Sequence, residues 1–334
     1  MSAPKRRAAT TKPRRLGLLS PLEAKIPAQR RRYPYDVGER IDGDLTIIGH
    51  LAMGRIGHLY QVWSAEQWCA FTCKILAPDH RGDREAVAAL RREGTVLRRL
   101  AHPNIVRHFR EGEHDDLPYL VMEYLEGPSI FDLIEGQPAR RLGIVDAIRT
   151  AVHIGAGLYH LHQNGFLHLD LKPANLLLRG NVPVLVDFDA ARRSSLETRT
   201  AKPIGTDPYM SPEQVRREPP SPASDVYGLG AVLYELLTGR WPYEDAYLTS
   251  TPADGDEARY PQLGEVPPPN ARAFNHDIPE TLDAVVMRCL KANPAERFDS
   301  IHGMLLALTE QLEGPAALWP EGVETERRRA PRVS

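Results

Sequence analysis

The apolar positions along the chain fall into two regimes. Between Leu45 and Tyr124 they come in short runs: Leu45 to Ile48, Leu59 to Trp63, Trp68 to Leu76 and Tyr119 to Tyr124. Each run is rich in β-branched and aromatic residues and ends at glycine or polar breaks, which predicts strands. One longer segment interrupts them. Arg84 to Leu100 carries Ala88, Leu90, Val96, Leu97 and Leu100 on one face and stops before Pro103, a helical spacing. From Gly143 the period changes. Ile144, Ile148, Val152, Leu158 and Leu161 mark a helix closed by Asn164-Gly165, a common stop signal. Leu176 to Leu178 and Val184 to Val186 are predicted strands around the turn Arg179-Gly180-Asn181. Asp225 to Thr238 is apolar on almost every side, which places it in the middle of a core. Thr281 to Leu290 and Ile301 to Leu312 are amphipathic, and the polar, proline-rich stretch Glu244 to Asp277 reads as a long loop. The pattern predicts an α+β chain: a small strand-rich lobe with one long helix, then a larger and mostly helical lobe, hinged near Glu126 to Pro128.

Composition changes this picture little. The 334 residues are 42% hydrophobic and 26% charged, enough for a sizeable core. The formal charge of −2 gives the whole molecule no call for a polyanionic partner. Its distribution is uneven. Met1 to Arg32 holds Lys5, Arg6, Arg7, Lys12, Arg14, Arg15, Lys25, Arg30, Arg31 and Arg32 against Glu23, a net of +9 that leaves −11 on the rest. Like-charge blocks are usually solvated and disordered; the sharper reading is a basic arm for an acidic partner, nucleic acid or a membrane surface. The block lacks the apolar run of a secretory signal. Cys69, Cys73 and Cys289 have neither disulfide-framework nor metal-ligand spacing, which suits a reducing, cytoplasmic compartment. No uncharged apolar run of about eighteen residues is present, so no membrane span is expected.

The chemistry concentrates in a few stretches. In LHLDLKPANLLL, Leu167 to Leu178, a carboxylate, a lysine and an amide fall within six residues, at Asp170, Lys172 and Asn175, and an apolar run follows. Polar groups so close together cost desolvation unless they share a ligand or a metal. Asp187 lies just past a short apolar strand. Its carboxylate and the Asn175 amide oxygen form a hard oxygen pair suited to magnesium. Asp170 is then free to accept a proton or orient a hydroxyl, and Lys172 to offset charge on a phosphoryl group. Lys74, inside the apolar run CAFTCKIL, needs an anion to be buried. Glu93 on the following helix is the internal candidate; a snorkelling lysine on an edge strand is the alternative. Gly54 and Gly57 lie between two strands, where glycines let backbone N–H groups approach phosphate oxygens or simply form a hairpin.

Taken in order, these stretches resemble the serine/threonine protein kinases of bacteria and eukaryotes. HLDLKPAN, His168 to Asn175, is similar to the catalytic loop, and Asp187-Phe188-Asp189 to the metal-binding DFG. GTDPYMSPE, Gly205 to Glu213, is similar to the end of an activation segment, and SDVYGLG, Ser224 to Gly230, to the start of the buried central helix. Arg297 matches the arginine that pairs with Glu213. Ala52 to Gly57 matches the glycine-rich loop, Lys74 and Glu93 the ion pair, and LVMEYLEG, Leu120 to Gly127, the hinge. The resemblance runs from about Leu45 to Leu312. It implies a bilobal protein-kinase-like fold with a tail over 1–40, a kinase domain over 41–313 (N-lobe 41–125, C-lobe 126–313) and a polar tail over 314–334. It implies ATP and Mg2+ as cofactors, with Mn2+ as an alternative ion, and transfer of the γ-phosphoryl group to serine or threonine of proteins, the chain itself included. By the same resemblance Asp170, Lys172 and Asn175 are catalytic, and Asn175 and Asp187 hold the metal. Leu51, Ala52, Gly54 and Gly57 cover the nucleotide, and Leu59, Thr72 and Leu177 sandwich adenine. Lys74, set by Glu93, contacts the α- and β-phosphates. Met122 gates the back of the pocket, and the backbone of Glu123 and Leu125 grips the base.

Three positions depart from the pattern. Ala52 replaces the first loop glycine, where a methyl is expected to stiffen the turn modestly. Leu169 replaces the arginine that in many kinases pairs with a phosphate on the activation segment. Activity is therefore expected not to need phosphorylation of Ser194, Ser195, Thr198 or Thr200. Asp189 replaces glycine; a solvent-facing change without effect is the expectation, with an altered metal preference as the alternative. Thr206 matches a threonine that contacts the catalytic aspartate in Ser/Thr-directed members. Cys73 reads as a small buried apolar side chain. Two other readings share the fold: a pseudokinase scaffold that binds without efficient transfer, and a small-molecule kinase, against which GTDPYMSPE and SDVYGLG argue.

Overall fold

The computed structural model describes residues 33–195, 203–249 and 260–312. The basic block 1–32, Thr198 and Thr200, and the polar tail 314–334 lie outside these.

The strand-rich lobe is a five-stranded antiparallel sheet: β1 (Leu45–Met53), β2 (Gly57–Ser64), β3 (Cys69–Leu76), β4 (His108–His114) and β5 (Leu117–Glu123), in the order β1-β2-β3-β5-β4. Register puts Leu59 opposite Lys74, and Lys74 opposite Leu120, so all three side chains project from one face. Helix α1 (Arg84–Leu97) packs on that side, capped by the Asp83 carboxylate accepting from the Glu85 and Ala86 amides. It ends three residues before the expected limit, in turns closed by the Arg99 and Leu100 amides. Ala88, expected on its apolar face, is exposed; Ala86 and Ala89 are buried beside the expected Leu90, Val96 and Leu97.

The periodicity missed β4. It is an edge strand, HFREGEH, whose inward positions are not apolar. Among the described residues, packing extends upstream of residue 41 as far as Tyr33. Tyr33 stacks on His50 at 4.1 Å, and Tyr35 is buried edge-on to Tyr60. Asp42 accepts hydrogen bonds from Tyr119 (2.6 Å) and Arg110 (3.1 Å), tying this segment to the outer strands.

The second lobe is mostly helical. Its centre is α5 (Pro222–Thr238), buried around its whole circumference as the sequence pattern requires. Ahead of it in the chain come α2 (Ile130–Glu135), α3 (Ile144–Gln163), the short pairs β6 (Phe166–Leu167) with β9 (Arg192–Arg193) and β7 (Leu176–Arg179) with β8 (Val182–Leu185), and α4 (Pro212–Val215). Within the stretch expected to be a loop, Glu244–Thr249 forms α6, anchored by the Arg240–Glu244 ion pair. Six residues are too few to show helical periodicity in the sequence. Helices Glu280–Cys289 and Ile301–Thr309 complete the lobe. No helix of the described residues is long and apolar enough to cross a membrane.

One ion pair ties the lobe together. Arg297 is 1% exposed, yet each of its five N–H donors has an acceptor. Nη1 and Nη2 fork onto the Glu213 carboxylate at 2.7 and 2.9 Å, and the rest reach the carbonyls of Lys291, Ala223 and Ala292. Burial pushes the Glu213 carboxyl up, but the Arg297 hydrogen bonds and charge outweigh it and hold the carboxyl below its usual range.

Candidate active site

The site is built from backbone geometry first. Between α3 and β7 the chain passes through His168 to Asn175 with Leu169 in the left-handed region, φ 66°, a strained position for leucine. A buried carboxylate on α5 holds it there. Asp225 accepts from the amides of His168 (2.9 Å) and Leu169 (2.8 Å) and from Nε2 of His162 (2.7 Å). Burial pushes the Asp225 carboxyl up, and the hydrogen bonds and the His162 side chain bring it below the ordinary carboxylate range. A carboxylate lowered on folding adds stability at pH values above its unfolded pKa near 4, and that stability is lost as pH falls through the folded value. The gap in melting temperature between wild type and Asp225→Asn is therefore expected to be widest near neutral pH and to narrow progressively as pH falls below about 4. Thermal melts across that range check this.

On this platform the candidate residues converge. Asp170 Oδ1 accepts from the Thr206 hydroxyl at 2.6 Å, and its Oδ2 accepts from Lys172 Nζ at 3.0 Å. Lys172 also donates to Thr206 Oγ1 at 3.0 Å, closing a triangle of carboxylate, ammonium and hydroxyl. Asn175 donates its amide nitrogen to the Asp170 carbonyl and carboxylate at 3.0 and 3.2 Å. That commitment leaves the Asn175 carbonyl oxygen as its free donor atom. Asp187 follows β8 in the left-handed region, φ 60°. Burial raises its carboxyl pKa, but the charges of Lys74 and Lys172 hold it down at about 2. Phe188 is fully buried beside His168, and its amide donates to Glu93 Oε1 at 3.0 Å.

Across the cleft, Lys74 is 5% exposed and pairs with Glu93 at 2.8 Å. A buried lysine needed an anion, and Glu93 supplies it. Burial works against the charge, yet Asp187, Glu93 and Asp189 raise the Lys74 pKa well above its ordinary value. Gly54 and Gly57 form the tight turn above it. A Cβ on Gly54 would lie 2.7 Å from the Gly57 carbonyl, and one on Gly57 would lie 2.8 Å from the Ile75 carbonyl. Leu51 and Ala52 are exposed on β1. Ala52 pairs with Leu59 just past a register shift in β1, and its φ is not positive, so the conformational freedom of glycine is not needed there. Leu59, Thr72 and Leu177 are half-buried, and Leu59 and Leu177 lie at the margin of the core. Met122 and Leu125 are buried. Glu123 ends β5, and its side chain is forked by Arg179 at 2.7 and 2.6 Å, pinning the hinge to β7.

Asp189 departs from expectation. It does not face solvent: its carboxylate reaches Lys74 Nζ at 2.7 Å. Nor does it occupy the special backbone angle, which falls on Asp187 two residues earlier. Two further residues escaped the sequence reading. Asp225 was assigned only to the start of a helix. Gln214 is buried and donates its two amide hydrogens to the carbonyls of Leu169 (2.8 Å) and Ile204 (2.7 Å), joining the loop His168 to Asn175 to the segment that leads into α4. Both act on residues more than forty positions away, which local spacing does not reveal.

Comparisons with known proteins identify the family. The family model described as "Protein kinase domain" matches residues 45–306. The serine/threonine-protein kinase PrkC of Bacillus subtilis is 32% identical over 276 residues, 80% of this chain and 40% of that protein. The serine/threonine-protein kinase PknB of Mycolicibacterium smegmatis is 35% identical over 256 residues, 73% of this chain and 39% of that protein. The chain thus spans about two fifths of the length of these relatives. Among solved structures, the PknI kinase domain of Mycobacterium tuberculosis aligns with a TM-score of 0.65 at 25% identity, over 83% of this chain and 98% of that one. With a family model covering residues 45–306 and the PrkC and PknB relatives 32% and 35% identical, the chain belongs to the protein kinase family, among relatives that are bacterial serine/threonine kinases.

Proposed function

We propose that the cleft transfers the γ-phosphoryl group of ATP to serine or threonine hydroxyls of protein substrates, the chain itself among them. The observation that carries this reading is the triangle of Asp170, Lys172 and Thr206, with Asn175 joined to it and Asp187 and Lys74 adjoining. Asp170 orients the acceptor hydroxyl and takes its proton as the new O–P bond forms. The bond between the γ-phosphorus and the bridging oxygen breaks, and ADP leaves with the electron pair. Lys172 offsets the charge that develops on the transferred group. Lys74, set by Glu93, holds the α- and β-phosphates, while Gly54 and Gly57, with Leu51 and Ala52, cover them. Leu59, Thr72 and Leu177 enclose adenine, Met122 closes the back of its pocket, and the backbone of Glu123 and Leu125 pairs with its edge. The donor set fits a hard divalent ion, Mg2+ or Mn2+: the Asn175 oxygen and the Asp187 carboxylate would hold it. When bound, such an ion neutralises phosphate charge.

Thr206 on Asp170 supports serine or threonine as the acceptor. Three cysteines that form no disulfide support a reducing, cytoplasmic setting, and the basic block 1–32 is proposed to meet an acidic partner. The test is to incubate the chain with ATP and magnesium, alone and with a generic protein substrate, and to locate phosphate by mass spectrometry. Phosphoserine and phosphothreonine support the reading. Nucleotide binding without transfer supports a scaffold, and transfer only to small molecules supports the small-molecule-kinase reading.

Phosphorylation of the activation segment is proposed to be dispensable. Leu169 offers no cation to a phosphate, and Gln214 already bridges Leu169 to Ile204. Replacing Ser194, Ser195, Thr198 and Thr200 together by alanine is expected to retain transfer activity. Loss of activity in that variant contradicts the point.

A further inference from the structure

The Lys74 ammonium has three N–H donors, and three carboxylates surround it. Glu93 Oε2 lies at 2.8 Å, Asp187 Oδ1 at 3.1 Å and Asp189 Oδ1 at 2.7 Å. The Asp189 contact is the shortest. Glu93 is fixed from behind, since its other oxygen accepts the Phe188 amide at 3.0 Å. Glu93 is buried, and burial pushes its carboxyl up; the Lys74 charge counters this, while Asp189 and Asp187 add to the upward push. Three acids therefore share one cation, and no donor of that cation is left for a phosphate oxygen.

We infer that Asp189 is a positioning residue that competes with the nucleotide phosphates for Lys74, and so sets a reduced affinity for ATP. This rests on the nucleotide reading of the cleft given above. Lys74 there serves two phosphate groups and needs two donors. Asp187 would free one on holding a divalent ion. Glu93 is locked to the Phe188 amide, so the second donor comes from Asp189. Glycine at this position has no side chain to compete, and the Asp189 backbone is not in a conformation that requires glycine. Arg192 Nη1 donates to the Asp189 carbonyl at 3.1 Å, which anchors the backbone while the carboxylate swings. A protein whose binding-competent state is populated only fractionally binds more weakly by that fraction.

The experiment is equilibrium binding of Mg·ATP and of adenosine to the full chain, for wild type, Asp189→Ala and Asp189→Gly. If the competent state is about one tenth populated, both variants bind Mg·ATP about tenfold more tightly than wild type. Adenosine, which has no phosphates, is expected to bind all three proteins equally. A general loosening of the site would move both ligands together and so contradict the inference. Equal Mg·ATP affinity in wild type and variants overturns it, and weaker binding in the variants assigns Asp189 to the metal ion instead. If no protein binds either ligand, the nucleotide reading of the cleft fails as well. The alanine variant guards against added backbone freedom in the glycine variant.

Discussion

Asp170→Asn is expected to lower phosphoryl transfer by between about 100-fold and 10,000-fold, the range contributed by a positioned general base, while the protein still folds and binds nucleotide. The Asp170 carboxylate sits among three donors: the Thr206 hydroxyl, the Lys172 ammonium and the Asn175 amide. These hold both oxygens in place, so the group costs little reorganisation when it meets an acceptor. Asparagine keeps the volume but gives up the negative charge and the capacity to take a proton. One of its positions also becomes an N–H that faces donors, so the triangle with Lys172 and Thr206 loosens. Steady-state rates at saturating nucleotide, with melting temperature measured alongside, separate the chemical loss from a folding loss. Transfer within tenfold of wild type would remove Asp170 from the role of base.

Arg297→Ala is expected to destabilise the fold by about 3–5 kcal/mol, the usual effect of removing one partner of a buried ion pair. Whole domains are stable by only about 5–15 kcal/mol. At roughly 2–4 °C per kcal/mol for domains of 150–250 residues, the melting temperature should drop by about 6–20 °C. The large effect follows from the number of groups orphaned. Glu213 is 4% exposed and would keep Ser224 Oγ as its side-chain partner, and three carbonyls would lose their donor. Arg297 also lies 5.0 Å over the Tyr227 ring, so a cavity opens against α5. Lysine is a poor substitute because it cannot reproduce the fork. Pairing Arg297→Met with Glu213→Gln should recover part of the loss, since no buried charge is then left alone. A melting temperature for Arg297→Ala within 2 °C of wild type, about 1 kcal/mol or less, would contradict this.

The parts of the molecule legible in the sequence are those whose physics is local. Asp170, Lys172 and Asn175 stand within six residues, and the apolar run behind them becomes β7. Lys74 in an apolar strand demanded an anion, and Glu93 was within reach on the next helix. α5 was visible because a helix buried on every side has no polar stripe. The rest depended on partners far along the chain or on patterns without contrast. β4 is an edge strand and alternates among polar groups. Tyr33 and Tyr35 are two aromatic residues after a run of arginines, and the stacking of Tyr33 on His50 and the edge-on contact of Tyr35 with Tyr60 make them part of the fold. Asp225 holds Leu169 across 56 positions, and Gln214 reaches it across 45. Asp189 could be counted as a substitution, but its direction could not be read. The turn that sends its carboxylate to Lys74 is fixed by Asp187 in the left-handed region and by Phe188 locked to Glu93.

In the function proposed above, Lys74, Asn175 and Asp187 converge on one triphosphate and one divalent ion beside Asp170. A crystal structure of the chain with Mg2+ and a non-hydrolysable ATP analogue tests it most directly. The expected result is the triphosphate under the Gly54–Gly57 turn and against Lys74, the ion between the Asn175 oxygen and the Asp187 carboxylate, and Asp189 turned away from Lys74. A nucleotide bound elsewhere, or an ion held without Asn175 and Asp187, would contradict it.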